Sequence, residues 1–262
     1  MPFHTAAFIQ SVDPAGVFTA INAAADQVLT IVGADLRVPQ LRQLIAAAAG
    51  VETTVASQAR LTSPSLRIRS LFRIEPFNGA AAAAVEPASP HVVTDLRGRP
   101  VELVAGENLN AELNSNPAAA QSQWVIVWLA DRSPEPVAGP IFTVRATAAT
   151  VLVVNAWTNA ALTFVEDLPR GRYQIVGLRG VSAGLVAARL VFVGEGAAGW
   201  RPGVLGTDLE TDLEHPMFRY GQLGVFGEFE DTDPPTVDFL SISADAAESV
   251  TLDLIQVRAG PG

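Results

Sequence analysis

The pattern of apolar and polar positions is clearest in the second half of the chain. There, eight short segments rich in β-branched and aromatic residues are each bounded by Gly, Pro, Asn or Asp. These segments, 141–145, 150–155, 161–165, 172–178, 186–193, 223–229, 236–243 and 249–257, predict eight strands, the number in a jelly roll. In the last two, Val237, Phe239 and Ile242 interleave with Asp238, Ser241 and Ser243, and Val250, Leu252, Leu254 and Val257 interleave with Thr251, Asp253 and Gln256. One face of each is therefore expected to be buried and the other solvated. The alternation slips at Leu240 and Ile255, which predicts either a bulge or a strand covered on both sides. Between the fifth and sixth segments lies 194–222, with Trp200-Arg201-Pro202-Gly203 and then Asp208, Glu210, Asp212 and Glu214. It reads as a projecting or intersubunit loop.

The first half repeats this layout in weaker form. Phe18-Thr19 matches Phe142-Thr143, Asp35-Leu36 matches Asp167-Leu168, Ala59-Arg60-Leu61 matches Ala188-Arg189-Leu190, and 124–132 matches 250–258. The matches keep their order and are spaced by about half the chain, so an internal duplication is expected, with domains at 1–135 and 136–262. The proline-containing stretch 133–136 reads as an extended linker. One stretch departs from the pattern. Leu41, Leu44, Ile45, the alanines after them and the closing Gly50 predict a short helix over 38–49, whereas its counterpart 171–184 carries Tyr173, Ile175 and Val176 and reads as strand. The expected fold class is all-β: two tandem antiparallel eight-stranded jelly-roll sandwiches, with a short helix in the first.

Composition adds limits. A chain of 262 residues that is 49% hydrophobic can bury two domain-sized cores. A net charge of -10, with no basic run longer than Arg67-Ile68-Arg69, argues against direct nucleic-acid contact. All 17 cations are Arg, which removes Schiff-base and P-loop lysines. With no Cys there is no disulfide framework, thiolate metal site or thiol nucleophile. No signal-peptide pattern and no membrane-spanning apolar run is present, so a soluble chain is expected.

Gly180-Val181-Ser182-Ala183-Gly184 fits a nucleophile elbow, with Asp212 and His215 following in triad order. That elbow works between a parallel strand and a helix, and no alternating β-α series surrounds it, so a turn between antiparallel strands is the plainer reading. His4, His91 and His215 lack metal-ligand spacing and read as surface or loop histidines. The run Glu228, Glu230, Asp231 and Asp233 could hold Ca²⁺ at a subunit contact or be a solvated acidic turn. Trp124 and Trp128 share one side of a strand, where they fill a core or line a sugar site. No catalytic, cofactor-binding or metal-binding residue is expected, and the chain reads as a non-enzyme.

The string Leu168-Pro169-Arg170-Gly171-Arg172-Tyr173-Gln174-Ile175-Val176-Gly177, with Ala187-Ala188-Arg189-Leu190-Val191-Phe192, Arg201-Pro202-Gly203 and Phe218-Arg219-Tyr220-Gly221-Gln222-Leu223-Gly224, resembles the double-jelly-roll major capsid proteins of tailless icosahedral phages. The resemblance lies in layout and texture, without a diagnostic motif. In that family two jelly rolls stand perpendicular to the capsid surface, and three chains form a pseudo-hexagonal trimer that tiles a shell, often over an internal lipid membrane. The resemblance implies a major capsid subunit without cofactor, resident in the virion after assembly in the host cytoplasm. Its partners would be itself, as homotrimer and lattice, and other virion proteins such as a penton or membrane protein. Trp200, Arg201, Asp208, Asp212, Phe218, Arg219 and Tyr220 are the expected interface residues. The alternatives are a carbohydrate-binding pair of β-sandwiches and, more remotely, a serine hydrolase using Ser182.

Overall fold

The computed structural model describes residues 3–52, 56–68, 72–78, 92–192, 199–245 and 248–259. Nearly all its regular structure is β, in curled antiparallel sheets. Contacts between residues divide the chain into two compact units. The first comprises His4–Ser133, and the second comprises Pro134–Gly262 together with Met1–Phe3.

Eleven strands are described from Phe3 to Ala130: β1 (Phe3–Val12), β2 (Thr19–Ile21), β3 (Ile31–Val32), β4 (Asp35–Arg37), β5 (Gln43–Val51), β6 (Ala56–Thr62), β7 (Phe72–Asn78), β8 (Val93–Asp95), β9 (Val101–Glu102), β10 (Asn108–Asn114) and β11 (Gln121–Ala130). One sheet runs β1-β11-β5-β8, with β9 also on β5; the other runs β3-β4-β10-β6-β7, with β2 also on β10. A single helical turn, α1 (Pro64–Ile68), joins β6 to β7.

The helix expected over 38–49 is instead strand β5, which corrects the sequence reading. Alanine favours helix only weakly, and here pairing with β11 decides. Trp124 lies opposite Gly50 and Trp128 opposite Ala46. A Cβ on Gly50 would stand 2.2 Å from the Trp124 ring. The small residues of β5 therefore make room for two indoles, and both indoles are buried. From Ser122 to Ala130 every residue of β11 is buried, so both of its faces are covered and no alternation shows in its sequence.

The second unit contains β12 (Phe142–Ala148), β13 (Trp157–Ala160), β14 (Thr163–Phe164), β15 (Gly171–Val181), β16 (Leu185–Val191), β17 (Gly203–Leu205), β18 (Gly227–Glu230), β19 (Thr236–Ser241) and β20 (Glu248–Ala259). Its sheets run β14-β12-β20-β15-β18 and β13-β19-β16-β17. The segment 150–155, expected as a strand, is a connection, and Val151, Val153 and Val154 are exposed on it. β13 follows it. Within 194–222, where a loop was expected, β17 pairs with β16.

Both units share one strand order. The last strand (β11, β20) lies between the first (β1, β12) and a long central strand (β5, β15), which is flanked in turn by β8 or β18. In the other sheet the penultimate strand (β10, β19) pairs with an early short strand (β2, β13) and with the strand after the central one (β6, β16), which then pairs with β7 or β17. Two of the four sequence matches fall on strands holding the same place, 59–61 on β6 with 188–190 on β16, and 124–132 on β11 with 250–258 on β20. Phe18 and Asp35 do not share a place with their counterparts.

Candidate functional site

The segment 199–226 of the second unit carries all seven residues expected at an interface, and only its middle, 209–216, is exposed or half-buried throughout. Residues 201–208 are buried throughout. Two buried ion pairs fasten the segment, one to each sheet. In the first, the Asp238 Oδ2 atom on β19 accepts from Arg201 Nη1 at 2.6 Å and from Arg189 Nε at 3.0 Å, while Oδ1 accepts from Asn159 Nδ2 at 2.8 Å. The Arg189 guanidinium lies 4.0 Å over the Trp157 ring. In the second, Arg219 donates from Nε and Nη2 to the two oxygens of Asp253 on β20, at 2.7 and 2.8 Å, a bidentate geometry that an arginine supplies and a lysine would not. Arg219 also pairs with Glu214.

These contacts correct the reading of β19 and β20 as strands with one solvated face. Asp238 and Asp253 were expected to point to water, and both are buried beneath the segment. Burial alone would raise the Asp253 pKa. The hydrogen bonds from Arg219, from the Tyr220 N–H at 2.9 Å and from the Thr143 hydroxyl at 2.7 Å hold it below the usual aspartate value. Glu214 goes the other way, because burial outweighs the attraction of Arg219 and Arg179. Arg179 closes the far side, donating from Nη2 to the carbonyls of Glu210 at 2.8 Å and Asp212 at 3.2 Å.

Arg201, Asp208, Phe218 and Arg219 are thus internal to the unit, whereas Trp200 and Asp212 are half-buried. Tyr220 reaches the surface, 58% exposed, with a left-handed backbone at φ 51° that is uncommon for a side chain of its size. Its N–H bond to Asp253 and the Arg219 guanidinium 4.8 Å over its ring hold it there. Leu209 and Leu213 are also exposed on this segment. Sequence reasoning named the segment but missed Asp238, Asp253 and Arg179. The available signal was a lone carboxylate within an apolar strand, Leu252-Asp253-Leu254, facing a loop with arginines to spare.

Ser182 is buried in the turn that leads from β15 in one sheet to β16 in the other, not between two paired antiparallel strands as expected, and its hydroxyl donates to Asp245 at 3.4 Å. Asp212 accepts the N–H groups of Asp208 and Leu209, and His215 Nδ1 accepts the Met217 N–H at the start of a 3-10 turn, Pro216–Phe218. Of the other histidines, His4 is buried on β1, 3.2 Å from Asp26, which corrects its reading as a surface or loop residue, and His91 lies outside the described residues.

The acidic run ending β18 is taken up locally: Glu228 by Arg172 at 2.6 Å, Glu230 by Arg258 at 3.0 Å, and Asp231 by the Gly171 N–H at 2.8 Å. Among the described residues no group of three His, Cys, Asp or Glu is placed to hold a metal ion. A polar hollow of about 300 Å³ beside this run is lined by Arg172, Phe192, Glu228, Phe229, Glu230 and Asp233.

No family model and no curated protein matches the chain. Among solved structures, the crystal structure of the PBSX exported protein XepA is similar at 13% identity over 94% of this chain and 88% of that one, with a TM-score of 0.20.

Proposed function

We propose that this chain is a structural subunit that assembles with copies of itself, and specifically a major capsid protein of a tailless icosahedral phage built from two tandem jelly rolls. The observation that carries the reading is the strand order shared by the two units. Placing the last strand beside the first in one sheet, and the penultimate strand beside an early one in the other, is the order that two rolled Greek keys produce. Two similar sandwiches per chain give a trimer six similar sides, so that lattice neighbours meet through near-equivalent contacts. The subunit would act in the virion shell after assembly in the host cytoplasm, with penton or membrane proteins as further partners. Its acidity favours a shell set apart from the genome.

Jelly rolls also serve sugar-binding proteins, but the aromatic pair that motivated that alternative fills the core of the first unit and presents no platform. The Ser182 alternative loses support because Ser182 is buried in a turn that leads from one strand to another, with no helix after it. Light scattering of the purified chain at two concentrations, about tenfold apart, tests the assembly reading. A mass of three subunits or larger shells is expected. A strict monomer at both concentrations overturns it.

A further inference from the structure

Four connections of the second unit are hydrogen-bonded in series at one end. The Leu152 N–H donates to the Asp245 carbonyl at 2.9 Å, tying 149–156 to 242–245. Asp245 Oδ2 faces the Ser182 hydroxyl and the Ala183 N–H at 3.4 Å. Gly184, which turns at φ +69°, donates to Asp208 Oδ1 at 2.5 Å. Asp208 and Leu209 donate in turn to Asp212 Oδ2, at 3.2 and 3.0 Å. Glu248, at the start of β20, receives the Thr150 N–H at 3.4 Å.

We propose that Asp208 and Glu248, with the carboxylates of Asp212 and Asp245 beside them, form a proton-dependent clamp that tightens this end of the unit in acid and slackens it as pH rises. The geometry gives two reasons. Asp208 is 9% and Glu248 3% exposed, so both carboxyls are largely withdrawn from water. Among the described residues no donor reaches the buried Glu248 Oε1, an arrangement that suits a protonated carboxyl and penalises an ionised one.

The surrounding charges agree. The connection 149–156 brings backbone donors and no ionisable side chain. From β15 comes Arg179, whose guanidinium is engaged with Glu210, Glu214 and the carbonyls of 209, 210 and 212. The remaining facing charges are the carboxylates themselves. Burial, and then the charges of Asp212 and Asp245, push Asp208 up despite the Gly184 N–H. Burial, with Asp245 adding to it, pushes Glu248 up against the Thr150 N–H. A carboxyl whose folded pKa is raised costs nothing below its ordinary value and destabilises increasingly as pH rises through the raised one, so the clamp loosens upward in pH.

Hydrogen exchange of the full chain, read by mass spectrometry over 150–155, 182–185 and 207–209 and corrected for intrinsic rates, tests this at about pH 4 and about pH 7.5. Protection should be several-fold greater at the lower pH. Asp245→Asn and Glu248→Gln, examined separately, should carry the acid-level protection to the higher pH, with β15 and β16 amides reporting that each variant is folded. Corrected protection that is flat, or that grows with pH, overturns the proposal even if neither variant folds. So does a folded variant that keeps the full pH response.

Discussion

At position 253 a carboxylate stands between two leucines in a strand that pairs on both sides, a place that water-facing alternation would leave exposed. What makes it tolerable is Arg219, which returns two hydrogen bonds for the charge it covers. Removing one member of such a pair strands the other, so Arg219→Ala should lower stability by roughly 3–5 kcal/mol in denaturant unfolding. The pH dependence has a definite sign. Because the folded pKa of Asp253 is depressed, its contribution is complete above the ordinary value of 3.8 and is lost as pH falls through the lower, folded one. Acid unfolding of Asp253→Asn should accordingly lack a component that the parent chain shows. Glu214, shifted upward, works in the opposite direction and is not expected to reproduce that component.

At the scale of single elements, β5 shows what a sequence can mislead about. Its alanines carry a helical preference of a few tenths of a kcal/mol each, and that preference yields to a strand position facing two tryptophans. The disagreement is testable through Gly50→Ala. A helix there would gain about 1 kcal/mol from the change. The strand should lose roughly 1–3 kcal/mol, because the added Cβ meets the Trp124 ring. Elements with one covered face were legible: β12 alternates, with Val144, Ala146 and Ala148 inside and Thr143, Arg145 and Thr147 outside. β11, covered on both faces, shows no alternation of its own and was placed by its match to 250–258. The valines of 150–155 failed in the reverse sense. Their β propensity announced a strand, and among the described residues no ladder partner takes it up beyond the isolated bridge from Val154 to Ser241.

For the whole molecule, the all-β class and the repeated layout could be read from strand spacing, whereas the locks fastening 199–226 could not. They join residues far apart in the chain, Arg201 to Asp238 and Arg219 to Asp253, and no local pattern encodes a pairing of that kind. On the assembly reading, the apolar side chains left outside, Val153 and Leu213 among them, are candidates for subunit contact. Val153→Asp combined with Leu213→Asp should then reduce the mass seen by light scattering while leaving circular dichroism unchanged. The shared strand order also bears on how the chain is made. Each unit seats its last strand between two earlier ones, so neither unit can complete that sheet before its last strand has left the ribosome. The first unit can close once β11 emerges, while translation continues. The second must wait for β20, and until then the arginine at 219 has no aspartate to meet, so the segment it fastens is locked only once β20 is in place.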